Sequence, residues 1–107
     1  MGLLEFNIEG SGETRNVTIR GALKFGDHKI IDAITEVLDE ETVEHLNMDL
    51  AELSKLDSYG IGVLLKCDQL SKDRNKSMTV CNVDGNIAEL FGMFKLDETL
   101  TVIKSNG

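Results

Sequence analysis

Leu4, Phe6 and Ile8 alternate with Glu5, Asn7 and Glu9, the period of a strand with one buried face. Gly10-Ser11-Gly12 follows as a turn, and Asn16 to Gly21 resumes the alternation through Val17 and Ile19. Together they predict an antiparallel hairpin. Phe25-Gly26-Asp27 breaks the period, and Asp27 is placed to cap a helix from His28 to about Leu38. Within it Ile30, Ile31, Ile34, Val37 and Leu38 form one apolar stripe, while Asp32, Glu36, Asp39 and Glu40 take the other side. His45 to Leu50 reads as a third strand, with Leu46, Met48 and Leu50 on one face, and Ala51 to Leu56 as a loop. Ser58 or its neighbour starts a second helix running to about Asp73, with Leu64, Leu65, Cys67 and Leu70 as its apolar positions. After a turn at Asn75-Lys76, Ser77 to Val83 is a fourth strand. Asp84 is placed to cap a third helix, Gly85 to about Phe94, whose stripe is Ile87, Leu90 and Phe91. Leu100, Val102 and Ile103 make a short last strand or an ordered tail.

Strands alternating with helices after an opening hairpin predict an α/β domain with a mixed sheet and right-handed crossovers. Partners of such sheets gather at the carboxyl ends of strands and at helix N-termini, where Leu56 to Gly62 falls. With 107 residues and neither linker nor repeat, residues 1–107 are expected to form a single domain.

Charge narrows the partners. Nineteen acidic against eleven basic residues give a net charge of −8, which disfavours nucleic acid and anionic membrane surfaces. It favours, weakly, a protein with a basic patch, and it also serves solubility alone. Cys67 and Cys81 are too far apart in sequence to suggest a metal site and are expected as buried free thiols, which suits a reducing cytoplasm. No apolar run is long enough to span a membrane, and the first residues lack the pattern of a secretory signal. His28 and His45 have no companions at ligand spacing, so neither a metal nor another cofactor is expected.

The informative run is Leu56-Asp57-Ser58-Tyr59-Gly60-Ile61-Gly62-Val63-Leu64-Leu65. It sets a carboxylate and a hydroxyl just before a helix with two glycines in its first turns. Free amides at a helix start tolerate negative charge. A phosphate on Ser58 would sit there without melting the helix and would add about −1.5 to −2 charges. The plainer alternative is that Ser58 only caps the helix.

The stretch Leu46 to Leu65 resembles the STAS domain of bacterial anti-sigma factor antagonists, which carry Asp-Ser-Ser/Thr/Ala-Gly-Leu-Gly-Val/Met-Leu-Leu after a strand and a loop. The matching run is Asp57-Ser58-Tyr59-Gly60-Ile61-Gly62-Val63-Leu64-Leu65. The resemblance continues through Met78 to Val83, through Asp84 to Phe91, and ends at Phe94-Lys95-Leu96-Asp97 as a short apolar tail. It implies the STAS fold: a mixed four- to five-stranded sheet, an N-terminal hairpin and three to four packed helices. It also implies a cytoplasmic, non-enzymatic partner switch in transcription regulation. Unphosphorylated, such a domain binds an anti-sigma factor that is also a serine kinase. Phosphorylation, here at Ser58, releases it, and a PP2C-type phosphatase resets it. Asp57, Ser58, Tyr59, Gly60, Ile61 and Gly62, with Lys24 and Phe25, are the implied partner-binding residues.

Two departures stand out. Tyr59, the only tyrosine, follows the acceptor where the family usually has a small residue. It fits an interface anchor, an obstacle to the kinase, or a core residue. Lys24 stands where many members have an acid, and Phe25-Gly26-Asp27-His28 is similar to a proteobacterial subgroup. The runner-up is a STAS docking or scaffold subunit that is never phosphorylated, serving chemotaxis, biofilm formation or lipid transport. A receiver domain with Asp49 as acceptor lacks the acidic pair expected after the first strand. No nucleophile, base and orienter can be assembled for an enzyme, and Asp49 and Asp57, which could converge as a carboxylate pair or a metal site, are expected to be solvated or capping.

Overall fold

The structure is a computed structural model that describes residues 4–23 and 28–103. The expected cap Asp27 and the expected contact residues Lys24 and Phe25 lie outside the described residues. The elements are β1 (Glu5–Glu9), β2 (Thr14–Leu23), α1 (His28–Leu38), β3 (His45–Asp49), β4 (Leu53–Leu56), α2 (Ser58–Asp73), β5 (Ser77–Cys81), α3 (Gly85–Met93), α4 (Leu96–Thr99) and β6 (Thr101–Ile103).

The hairpin forms as expected, with β1 antiparallel to β2 from Glu5 opposite Arg20 to Glu9 opposite Asn16. The six-stranded sheet runs β1-β2-β3-β5-β6, and β4 pairs with β2. All pairings except the hairpin are parallel. β2 changes partner along its length. Thr14–Thr18 pairs with β3, and Gly21–Leu23 pairs with β4 across a register shift at Gly21/Ala22. Gly21 takes φ 92° at this shift, a conformation that glycine adopts without strain.

The stretch expected as a loop, Ala51 to Leu56, therefore contains a strand. Leu53 and Leu56 are both buried while Ser54 and Lys55 are exposed. That spacing breaks strict alternation, and the irregular register on β2 is what accommodates it. The apolar tail expected at Phe94 to Asp97 contains the start of α4, entered through Lys95 at φ 54°. β5 stops before Val83 because Asn82 turns left-handed, at φ 57°, and its amide donates 2.9 Å to Asp49 Oδ1. Asp84 occupies the cap position of α3 with extended backbone, but its side chain makes no capping hydrogen bond.

One face of the sheet is apolar. Val17 and Ile19 of β2, Leu46 and Met48 of β3, and Val80 of β5 are fully buried in one cluster with Ile30 and Ile34 of α1 and Leu64 of α2. Each burial of such a side chain contributes about 1.5–3 kcal/mol. Lys76 fixes the end of α1 from the turn after α2: its ammonium donates 2.6 Å to Leu38 O and 2.8 Å to Glu40 O, carbonyls that a helix end leaves open. On the opposite face His45 lies 2.6 Å from Ser77 Oγ and 2.8 Å from Thr79 Oγ1, and Thr79 donates to Asn47. The sequence assigned His45 no such network.

Cys67 is buried as expected, but Cys81 is only half-buried, on the polar face. Burial, helped by the Asp68 carboxylate, pushes the Cys67 thiol from its ordinary 9.0 up to about 12. Between those values the unfolded chain gives up a proton that the folded chain keeps, so stability falls as pH rises through that window. The advantage of the wild type over Cys67→Ala in urea unfolding is expected to shrink between about pH 9 and 12, by at most about 1.4 kcal/mol per unit. An advantage that stays constant across the window would contradict the burial.

Candidate functional site

β4 ends at Leu56, and α2 begins two residues later. Asp57 is the N-cap: its backbone is extended and its Oδ1 accepts from Gly60 N at 2.8 Å. Such a cap stabilises by about 1 kcal/mol relative to alanine. Ser58 is the first helical residue and does not serve as the cap. Its side chain is exposed, and no hydrogen bond holds its hydroxyl among the described residues. Among the described residues, nothing in the fold uses the Ser58 hydroxyl.

Three residues pin this turn to the sheet. Leu56 and Ile61 are each 7% exposed and belong to the core cluster. Gly60 is buried where α2 crosses the end of β2. A β-carbon at Gly60 would overlap the Leu23 carbonyl oxygen and lie 2.7 Å from Leu56 Cδ1 and 2.9 Å from the Leu23 carbonyl carbon. No side chain fits there without moving backbone. Gly62 is the reverse case: it is exposed, and a β-carbon would meet nothing within 4 Å. Each helical glycine costs about 1 kcal/mol relative to alanine, and at Gly62 the chain's own packing does not offset it.

Asp57, Ser58, Tyr59 and Gly62 thus face solvent at the head of α2, whereas Gly60 and Ile61 support them from inside. Tyr59 is 60% exposed, so it is not a core residue. Lys55 on β4 and Lys66 two turns into α2 are exposed nearby, with no ion pair among the described residues. Asp49 is not paired with Asp57. It accepts from Ala51 N and from Asn82, which closes the carboxyl end of β3. No group of three or more His, Cys, Asp or Glu among the described residues could hold a metal. No described helix is long and apolar enough to cross a membrane.

A mixed sheet with α1 and α2 packed over one apolar face, and a serine exposed at the head of the helix after β4, defines a small α/β domain of a recurring type. Residues 5–106 match the STAS domain family, and the chain belongs to it. Its fold is shared by an anti-sigma factor antagonist from Mycobacterium paratuberculosis: TM-score 0.80, 18% identity, covering 97% of this chain and 88% of that one. It is shared by the anti-sigma factor antagonist SpoIIAA in its unphosphorylated form: TM-score 0.78, 19% identity, 95% and 89% covered. The phosphorylated form of the Bacillus SpoIIAA protein gives TM-score 0.72 at 19% identity, with 95% and 92% covered. A murine anion transporter, Slc26a9, contains a similar fold, with TM-score 0.72 and 19% identity over 91% of this chain but 17% of the transporter. At these identities the likeness is one of fold.

Proposed function

We propose that this chain is an anti-sigma factor antagonist-like switch whose partner is chosen by the phosphorylation state of Ser58. The observation that carries the reading is the division of labour at the head of α2: Asp57 caps the helix and leaves the Ser58 hydroxyl exposed and uncommitted. A dianion added there faces the positive end of a helix, which favours it by about 0.3–1 kcal/mol. The turn beneath rests on Leu56, Gly60 and Ile61, none of which has to move. The phosphate therefore changes the docking surface and leaves the core alone.

In this reading the unmodified domain binds an anti-sigma factor that is also a serine kinase. The kinase transfers a phosphoryl group to Ser58 and lets go, and a PP2C-type phosphatase restores the serine. Asp57, Tyr59 and Gly62 contact the partner beside Ser58, while Gly60 and Ile61 position them. The domain acts as one unit in the cytoplasm and supplies no catalytic group. The likeness in fold to anti-sigma factor antagonists, one of them solved in a phosphorylated form, supports this over a receiver or an enzyme.

The test is to incubate the chain with ATP and each anti-sigma-type serine kinase of its source genome, and to locate the phosphate by mass spectrometry. One phosphate on Ser58, lost in Ser58→Ala while the melting temperature holds, is the expected outcome. Phosphate on Tyr59 or Thr79, or on no residue, overturns the switch and leaves the unmodified docking subunit.

A further inference from the structure

We propose that Gly62 is a seat for the switching partner: it keeps α2 bare beside Ser58 so that the partner's main chain can lie directly on the helix. The proposal rests on the switch reading above and identifies which residue of that surface sets its fit.

The two glycines of the run differ in kind. Gly60 is demanded from inside by the Leu23 backbone, whereas a β-carbon on Gly62 would point into open space. Gly62 does not have the positive φ that would itself call for glycine. Helix propensity therefore disfavours glycine at this position, and nothing among the described residues compensates. Its neighbours show what the bare patch is for. At about 100° per residue, Gly62 lies about 40° round the helix from Ser58 and about 60° from Tyr59, and so between them. Tyr59, 60% exposed, stands at one side as a rigid aromatic anchor.

Charge indicates the occupant. Lys66, one turn along α2 from Gly62, and Lys55, two residues before Asp57, are exposed and without ion pairs among the described residues, in a chain of net charge −8. Asp57 and Asp73 of the same helix keep their charge while accepting from neutral amides, Gly60 N and Gln69, and leave both lysines unpaired among the described residues. The surface fits a protein that rests a helix or loop on Gly62, takes Tyr59 into an apolar pocket and brings carboxylates to the two lysines. A phosphate on Ser58 would then meet those carboxylates as a like charge, which gives the switch its sign.

The probe is the kinase found to phosphorylate Ser58, titrated calorimetrically with the full chain and three variants. Gly62→Ala is expected to melt several degrees above the wild type yet bind at least tenfold more weakly. Lys66→Glu is expected to bind more weakly at low salt and to recover part of the loss at high salt. Gly62→Ala binding as well as the wild type, or melting below it, overturns the seat. Ser58→Asp serves as the control: if it binds like the wild type, the switch reading itself fails and the seat with it. If Ser58→Asp is weakened and Gly62→Ala is not, only the seat fails.

Discussion

Gly60→Ala is expected to lower the melting temperature by roughly 10–25 °C. The added β-carbon would overlap the Leu23 carbonyl group and press on Leu56. Leu23 is fully buried at the end of β2, with Ala22 and Leu23 held against β4. The Leu23 main chain cannot yield as the tip of a flexible side chain would. Overpacking of this kind costs about 2–4 kcal/mol, and each kcal/mol shifts a domain of this size by about 4–8 °C. Calorimetry of the purified variant reads it directly. The same substitution two residues on, at Gly62, is expected to have the opposite sign, so the pair controls for any general effect of removing a helical glycine. A Gly60→Ala protein that melts within a degree or two of the wild type would mean that α2 does not cross β2 as described.

Ser58→Asp is expected to weaken binding of the phosphorylating kinase by at least tenfold, about 1.4 kcal/mol, with the melting temperature little changed. The side chain lies outside the core, so the variant has no packing to lose. One carboxylate carries less charge than a phosphoryl group, which makes tenfold a lower bound for the modified serine. Equal affinities of the variant and the wild type would remove the electrostatic basis of the switch.

What the chain reveals in sequence follows from period. The hairpin, α1 and α2 are legible because alternation and three-to-four spacing persist long enough to fix one face. Even the limits of α1 and α2 agree with the expectation, His28 to Leu38 and Ser58 to Asp73. Two elements escape for the same reason. In β4, Leu53 and Leu56 are three apart, a helical spacing within four strand residues, and only the irregular pairing with β2 explains it. In α4, one turn is too short to show any period. The end of β5 depends on Asn82, whose left-handed turn is tied to Asp49 on a neighbouring strand. Asp84 shows the limit of a local cap rule, since its position is right and its hydrogen bond is absent.

The site was legible as a motif, not as geometry. The run Asp57 to Gly62 marks the place, but it treats both glycines alike and offers Ser58, not Asp57, as the cap. The contact with Leu23 separates Gly60 from Gly62, and it comes from a strand more than thirty positions away. The bond from Gly60 N to Asp57 settles the cap and frees Ser58. The polar face around His45 is likewise invisible until β3 and β5 lie side by side, with His45 opposite Ser77.

The most direct measurement is a calorimetric titration of the kinase with two preparations of the full chain, unmodified and stoichiometrically phosphorylated on Ser58, paired with their amide NMR spectra. The expected result is at least a tenfold loss of affinity on phosphorylation, with shifts confined to the neighbourhood of residues 57–62 and the signals of Val17, Leu46 and Val80 unmoved. Equal affinity of the two preparations, or a spectrum in which those core signals move, would contradict it.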